Sequence, residues 1–167
     1  MTKEGKWASG RVVLREVTDE DLPLFFEQQL DPQANYMAAF TGRNPTDRDA
    51  FMAHWARILA DDTNVIQTIL FGGQVAGYVA SYVDKEFGKR EVTYWIGKEY
   101  WGQGIASTAL SLYLMLVKER PIYGRAARDN VGSIRVMGKC GFVLKGCDKG
   151  FANARQEEIE EAILELA

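Results

Sequence analysis

Tyr100-Trp101-Gly102-Gln103-Gly104-Ile105-Ala106-Ser107 sets a glycine-rich turn between a strand-like run, Glu91 to Ile96, and a long apolar stretch of helical period. Small residues at Gly102, Gly104 and Ala106 let a ligand come close to the main chain, and the first amides of a helix point outward with partial positive charge. The turn therefore reads as a cradle for a diphosphate, although tight packing would call for the same small residues.

Upstream, Val12 to Glu16 reads as a first strand. Thr18 and Asp21 have the spacing of a capping box ahead of a helix whose apolar positions are Leu22, Phe25, Phe26 and Leu30. Thr46 and Asp49 announce a second helix, with Phe51, Trp55, Ile58 and Leu59 on one buried face, and Asn35 to Pro45 between the two is read as a loop. Val65 to Phe71 and Gln74 to Val83 are β-rich runs joined by Gly72-Gly73, which suits a two-residue hairpin. Downstream of the cradle a helix runs through Ala109, Leu110, Tyr113, Leu116 and Val117 toward Pro121; apolar nearly all round, it is expected to be central and buried. Ile122 to Ala127 follows as a strand, Asn130 caps a short helix carrying Val131, Ile134 and Met137, and Gly141 ends that helix in a left-handed conformation. Strand, helix, strand predicts a parallel pair with a right-handed crossover. Phe142 to Cys147 is a further strand. Ile159 to Leu166 is helical by propensity, yet a hairpin around Asn153 fits its length equally well, and a strand is the expectation.

A chain of 167 residues is read as one domain spanning 1–167, long enough to bury its own core. Its net charge is −3, with Lys and Arg scattered, which gives nucleic-acid binding no electrostatic support and suits a small or cationic partner. Met1 to Trp7 is charged without an apolar core, and the longest apolar run, Leu112 to Val117, is too short to span a bilayer; no membrane association and a cytoplasmic location are expected. Cys140 and Cys147 are the only cysteines, read as free thiols in a reducing compartment, and neither supplies metal-ligand spacing.

The order of elements, the turn Trp101-Gly102-Gln103-Gly104-Ile105-Ala106 and the downstream Asn130-x-x-Ser133-x-x-Val136-Met137-x-Lys139-x-Gly141-Phe142 together resemble the GNAT superfamily of acetyl-CoA-dependent N-acyltransferases, in particular its Rim-type branch of ribosomal-protein N-terminal acetyltransferases. The resemblance covers nearly the whole chain. It implies an α/β (α+β) GNAT-like domain with a mixed, mostly antiparallel sheet, helices on both faces and a V-shaped opening between two parallel strands, Glu91 to Ile96 and Ile122 to Ala127. It implies acetyl-CoA as cosubstrate and no metal. Trp101 fills the first slot of the pattern Arg/Gln-x-x-Gly-x-Gly/Ala, Gly104 the first glycine and Ala106 the last. By that resemblance the amides of Gly102, Gln103, Gly104, Ile105, Ala106 and Ser107 take the CoA pyrophosphate, and Asn130 and Ser133 touch the pantetheine arm and the thioester end. The strand carrying Tyr94, Trp95 and Ile96 would flank the acyl carrier, with an amide near Tyr94 or Trp95 receiving the oxygen that becomes negative. Read from the residues alone, Asn130 is an ordinary N-cap and Ser133 a first-turn hydroxyl.

The implied reaction is direct acetyl transfer to a primary amine, on a small molecule or a protein N-terminus. An α-amino group near pKa 8 is about 10% neutral at pH 7, whereas a lysine near 10.4 is below about 0.1%, so the former needs only a weak base. Glu91 is the candidate base, or else an exposed strand-end charge. Many members of the superfamily place a tyrosine acid one turn beyond the serine; Met137 stands there in this chain, which leaves Ser133 as a hydrogen-bond donor to the departing sulfur. His54, Tyr36 and Phe40 are candidates for the acceptor side, with helix-surface or packing roles as the alternative. Cys140, in the last turn before Gly141, is a poor nucleophile. Two other readings stand beside this one: a non-catalytic acyl-CoA-binding regulator, motivated by Met137, and a Rossmann or P-loop nucleotide binder, which lacks the Gly-Lys-Ser/Thr signature. The resemblance admits a homodimer and does not name the acceptor.

Overall fold

The computed structural model describes residues 7–167; the first six residues of the charged N-terminal stretch lie outside them. The elements run β1 (Ala8–Ser9), β2 (Val12–Glu16), α1 (Leu22–Gln29), α2 (Pro32–Ala38), α3 (Arg48–Ala60), β3 (Val65–Phe71), β4 (Gln74–Val83), β5 (Arg90–Ile96), α4 (Ile105–Leu116), β6 (Ile122–Ala127), α5 (Val131–Lys139), β7 (Val143–Ala152) and β8 (Glu157–Leu166). The eight strands form one sheet in the order β1-β2-β3-β4-β5-β6-β8-β7. Every neighbouring pair is antiparallel except β5 and β6, which run parallel because α4 carries the chain back between them. The mixed, mostly antiparallel sheet is as expected.

Three local expectations need correction. Part of the stretch read as a loop is helical: Asp31 accepts from the Ala34 N–H and Pro32 stands in the first turn, so α2 covers Pro32–Ala38 before the chain opens out. The N-cap of α3 is Asp47 rather than Thr46, its carboxylate accepting from the Ala50 N–H at 3.0 Å. On α3 only Trp55 is buried, while Leu59 is exposed, because the helix packs mainly on α1 and meets the sheet through Trp55 against Tyr78. The capping-box pair at Thr18 and Asp21 opens a short 3-10 turn that leads into α1, with the Thr18 N–H on the Asp21 carboxylate at 2.9 Å.

Other expectations hold. Gly72 and Gly73 take φ of +57° and +82° at the β3–β4 hairpin, and Gly141 takes +95° where α5 stops. Glu157–Leu166 is a strand although its composition favours helix. It is paired along both edges, with Ile122 to Ala127 on one side and Val143 to Ala152 on the other, and two ladders outweigh a propensity worth tenths of a kcal/mol per residue.

Residues of β5 alternate between two faces. Val92 and Ile96 join Ile105, Ala109, Leu110 and Tyr113 of α4 in the main core, so α4 and α5 cover that face. On the other face Tyr78 of β4 meets Phe25 and Trp55, with ring centroids 5.2 Å and 4.9 Å away, which seats α1 and α3 there. The entry to α1 is pinned by Asp21, whose carboxylate receives Arg15 at 2.6 and 2.8 Å and the Thr68 hydroxyl at 2.7 Å. The central helix is buried along most of its length, yet Met115 is exposed, so its outer stripe faces solvent.

Candidate active site

The cradle is an open turn. Gly102 and Gly104 adopt φ of +78° and +74°, and a Cβ built on either would have no atom within 4 Å. Crowding therefore does not require glycine here; the left-handed backbone does. Gly104 is the N-cap of α4, so no side chain caps that helix. The first main-chain bond back to the cap is Thr108 N–H to Gly104 C=O at 3.2 Å, which leaves the amides of Ile105, Ala106 and Ser107 for a ligand. The Trp101 indole N–H donates to the Ile96 carbonyl at 2.9 Å and fastens the turn to the end of β5.

β5 and β6 pair only at Arg90–Ile122, Glu91–Tyr123 and Val92–Gly124, then part. The next rungs of β5 remain paired to β4 through Gly77–Ile96. Because Gly97 N–H bonds to Ala76 C=O, the two-residue alternation turns the amides of Trp95 and Thr93 toward β4 and those of Tyr94 and Ile96 toward the gap. Of the two amides foreseen for a developing oxyanion, Tyr94 is thus the one with no strand opposite it.

Across the gap stands α5. Asn130 caps it, accepting from the Ser133 N–H at 3.2 Å, and also donates to the Met37 carbonyl at 3.2 Å, so its side chain joins α5 to α2. Ser133 Oγ lies 2.6 Å from the Tyr94 hydroxyl. Burial pushes the Tyr94 phenol up to about 12, so it keeps its proton. Met137, one turn on, is buried, and a Cβ at Gly124 would strike its thioether.

A single cavity of about 1020 Å³ joins the cradle to the opposite face of the sheet through this gap. Gly102, Gly104, Ile105, Ala106 and Ser107 line one end, Tyr94, Trp95, Ile96, Asn130 and Ser133 the middle, and Glu91, Phe40 and His54 the other end. Gln103 and Tyr36 do not line it. Tyr36 points away: the Arg155 guanidinium lies 4.2 Å from its ring centroid, and Arg155 also bonds the Tyr36 carbonyl and the Asp129 carboxylate. His54 sits exposed at the rim, its pKa lowered by desolvation and by the Arg57 charge. Glu91 is paired: Arg125 Nε donates to it at 2.9 Å, while Arg125 Nη1 reaches Glu161 at 3.0 Å and Asp148 at 3.5 Å. Burial raises the Glu161 pKa despite that arginine.

Sequence reasoning did not find Arg125, Glu161 or the Tyr94–Ser133 contact. Each joins strands or helices far apart in the chain, and only the alternation of Tyr123, Arg125 and Ala127 along β6 hints that Arg125 shares a face with Glu91. Among the described residues no cluster of His, Cys, Asp and Glu could hold a metal ion, and no helix is long and apolar enough to cross a membrane.

A parallel strand pair that parts beside an uncapped helix N-terminus, with one cavity running through the parting, sets the chain in a class of α/β proteins with an open, split sheet. The acetyltransferase (GNAT) domain family matches residues 11–143, and the chain belongs to it. A curated relative named "Putative ribosomal N-acetyltransferase YdaF", from Bacillus subtilis (strain 168), is 28% identical over 116 residues, covering 64% of this chain and 63% of that protein. Among solved structures, the self-immunity acetyltransferase MccE in complex with acetyl-CoA and AMP superposes with a TM-score of 0.79 at 15% identity, over 95% of this chain and 93% of that one. Mycobacterium smegmatis RimJ in complex with CoA-disulfide superposes with a TM-score of 0.77 at 18% identity, over 93% of this chain and 81% of that one. At such identities these two likenesses show the fold.

Proposed function

We propose that the protein transfers the acetyl group of acetyl-CoA to a primary amine by direct attack, without a covalent enzyme intermediate. The observation that carries this reading is the coincidence, in one cavity, of the uncapped α4 amides, the Tyr94 amide facing the gap and a carboxylate-bearing far end. The cradle fits a diphosphate, since glycine is demanded at Gly102 and Gly104 by backbone conformation while the space above them is open. The amides of Ile105, Ala106 and Ser107 would hold the diphosphate, Asn130 and Ser133 would flank the pantetheine arm, and the Tyr94 N–H would receive the thioester oxygen as it gains charge. The amine would enter from the Glu91 and Phe40 end. There Glu91 and Glu161 outnumber Arg125, a field that draws a protonated amine, and Glu91 can take the proton the nitrogen must lose. A protein N-terminus fits best, because an α-amine asks little of its base, and the likeness to a ribosomal N-acetyltransferase points the same way. A cytoplasmic location belongs to the same proposal, and the family resemblance admits a homodimer without requiring one.

A second reading, an acyl-CoA-binding regulator without turnover, is favoured by the buried Met137 and by the pairing of Glu91 with Arg125. Free-thiol release from acetyl-CoA with a panel of peptides, polyamines and amino acids separates the two. Release with at least one amine, reduced in Glu91→Gln and Ser133→Ala, is expected; binding of CoA without release on any amine would establish the regulator instead.

A further inference from the structure

We propose that Tyr94 is a positioning residue for this transfer: its hydroxyl donates to Ser133 Oγ and so turns the serine proton toward the sulfur of the acyl carrier. This rests on the acetyl-transfer reading of the same cavity. The two oxygens are 2.6 Å apart, and the Tyr94 hydroxyl is also 3.3 Å from the Ser133 main-chain carbonyl, an atom that can only accept. One phenolic hydrogen shared between the two oxygens, and weighted toward the nearer Oγ, serves both contacts, and that is the order proposed; the reverse order, Ser133 Oγ donating to the phenol and the phenol to the carbonyl, would tie up the serine proton. A serine hydroxyl that accepts from Tyr94 has its own hydrogen left over, and Ser133 lines the cavity beside the place where β5 and β6 part.

The chemistry needs that hydrogen. As the amine nitrogen forms its bond to the acetyl carbon, the C–S bond breaks and its electron pair goes to sulfur as a thiolate. The proton shed by nitrogen passes to Glu91 or to water. The nascent thiolate is stabilised by a donor, and the candidates on α5 are few: Met137 is buried and has no proton to give, so Ser133 is the donor within the helix. A lone serine hydroxyl rotates among several partners, including the carbonyls of its own helix. Tyr94 removes that freedom. It stands on β5, on the face that packs against α4 and α5, and its place is held by the strand rather than by the helix that carries the serine. The titratable groups around it are Cys140, whose own pKa burial raises, and Lys139 at the cavity wall.

The test is a double-mutant cycle with a second readout. Tyr94→Phe keeps the ring and removes the hydroxyl. Its kcat is expected to fall roughly ten- to a hundredfold, the scale of a lost hydrogen bond to a charged group, with the KM for acetyl-CoA changed less than about twofold. Ser133→Ala should fall by a similar factor, and the double variant no further than Ser133→Ala alone. Losses that multiply, or a Tyr94→Phe enzyme as fast as wild type, would overturn the assignment. The second readout needs no acceptor: the pH at which the thiol of bound CoA ionises, followed by ultraviolet thiolate absorbance against a desulfo-CoA blank that cancels Cys140, Cys147 and the tyrosines. The wild type should ionise CoA at a lower pH than either variant, and identical titrations would overturn the proposal. If no amine is acetylated, the proposed activity fails, while the thiol titration still decides Tyr94.

Discussion

Arg125 Nε lies 2.9 Å from Glu91 Oε1 while its Nη1 lies 3.0 Å from Glu161 Oε1, so one cation holds two carboxylates side by side on the face of the sheet that carries α1 and α3, near where β5 and β6 separate. Removing the cation sets the two carboxylates against each other and takes from Glu161, whose pKa burial already raises, the charge that opposes that rise. Arg125→Met should therefore move the acidic limb of the kcat/KM profile to higher pH, and Glu91→Gln should lower kcat/KM by roughly a hundredfold. The measurement is amine acetylation across pH 5 to 9; an acidic limb unmoved in Arg125→Met would contradict the role given to the pair.

Gly104 tests whether conformation or crowding decides the cradle. With φ at +74° and open space above it, any β-carbon meets strain rather than a clash. Gly104→Val should cost about 1–3 kcal/mol and weaken CoA at least tenfold, whereas Gly104→Asn, which tolerates the left-handed region, should lie between Val and wild type. Thermal melting and titration calorimetry with CoA give both numbers.

Gly77 tests the opposite case. A Cβ there would collide with the Trp95 carbonyl, part of the β5 backbone itself. Gly77→Ala should destabilise by about 1–3 kcal/mol and displace the strand that carries the Tyr94 amide. Gly146→Ala, with nothing within 4 Å of the new methyl, should change stability by less than about 0.5 kcal/mol. Urea denaturation of the two variants makes the comparison, and equal losses would refute it.

Asp21 gives the fold an acid-sensitive anchor. Burial raises its pKa, but the hydrogen bonds from Arg15, the Thr18 N–H and Thr68, with the Arg15 charge, outweigh that and leave the folded value below the unfolded one. A depressed carboxylate contributes stability that is present above the unfolded value of about 3.9 and is lost as pH falls from there through the folded value. Asp21→Ala should cost about 1–3 kcal/mol at pH 7, since the hydrogen bonds of Arg15, Thr68 and the Thr18 N–H to this carboxylate go, and the gap to wild type should narrow below about pH 4. A variant whose loss is the same at pH 3 and pH 7 would contradict the ion-pair account.

Much of the fold was legible because the signals are local. The Gly72-Gly73 hairpin, the left-handed Gly141 and the uncapped start of α4 depend on backbone conformations that few residues tolerate, and those positions hold glycine. Asn130 was read both as a cap and as a cofactor residue; the cap is in place, with its oxygen on the Ser133 amide. What local reading lost was α2, where Asp31 and Pro32 carry a start signal but the helix is only seven residues long. It also sent Tyr36 toward the cavity, because nothing near it in the chain reveals that Arg155 would cover its ring.

The sequence by itself determined where the backbone can turn, which stretches alternate or recur at helical period, and that a helix begins without a cap beside small residues. Those are consequences of each residue's own conformational freedom and polarity. The tertiary structure alone decided that Glu91 would meet Arg125, that Tyr94 rather than Trp95 would turn its amide into the parting of the strands, and that its hydroxyl would reach Ser133. Each of those depends on strand register and on helix docking, and a shift of one residue along β5 would exchange the two faces of the strand and undo all three.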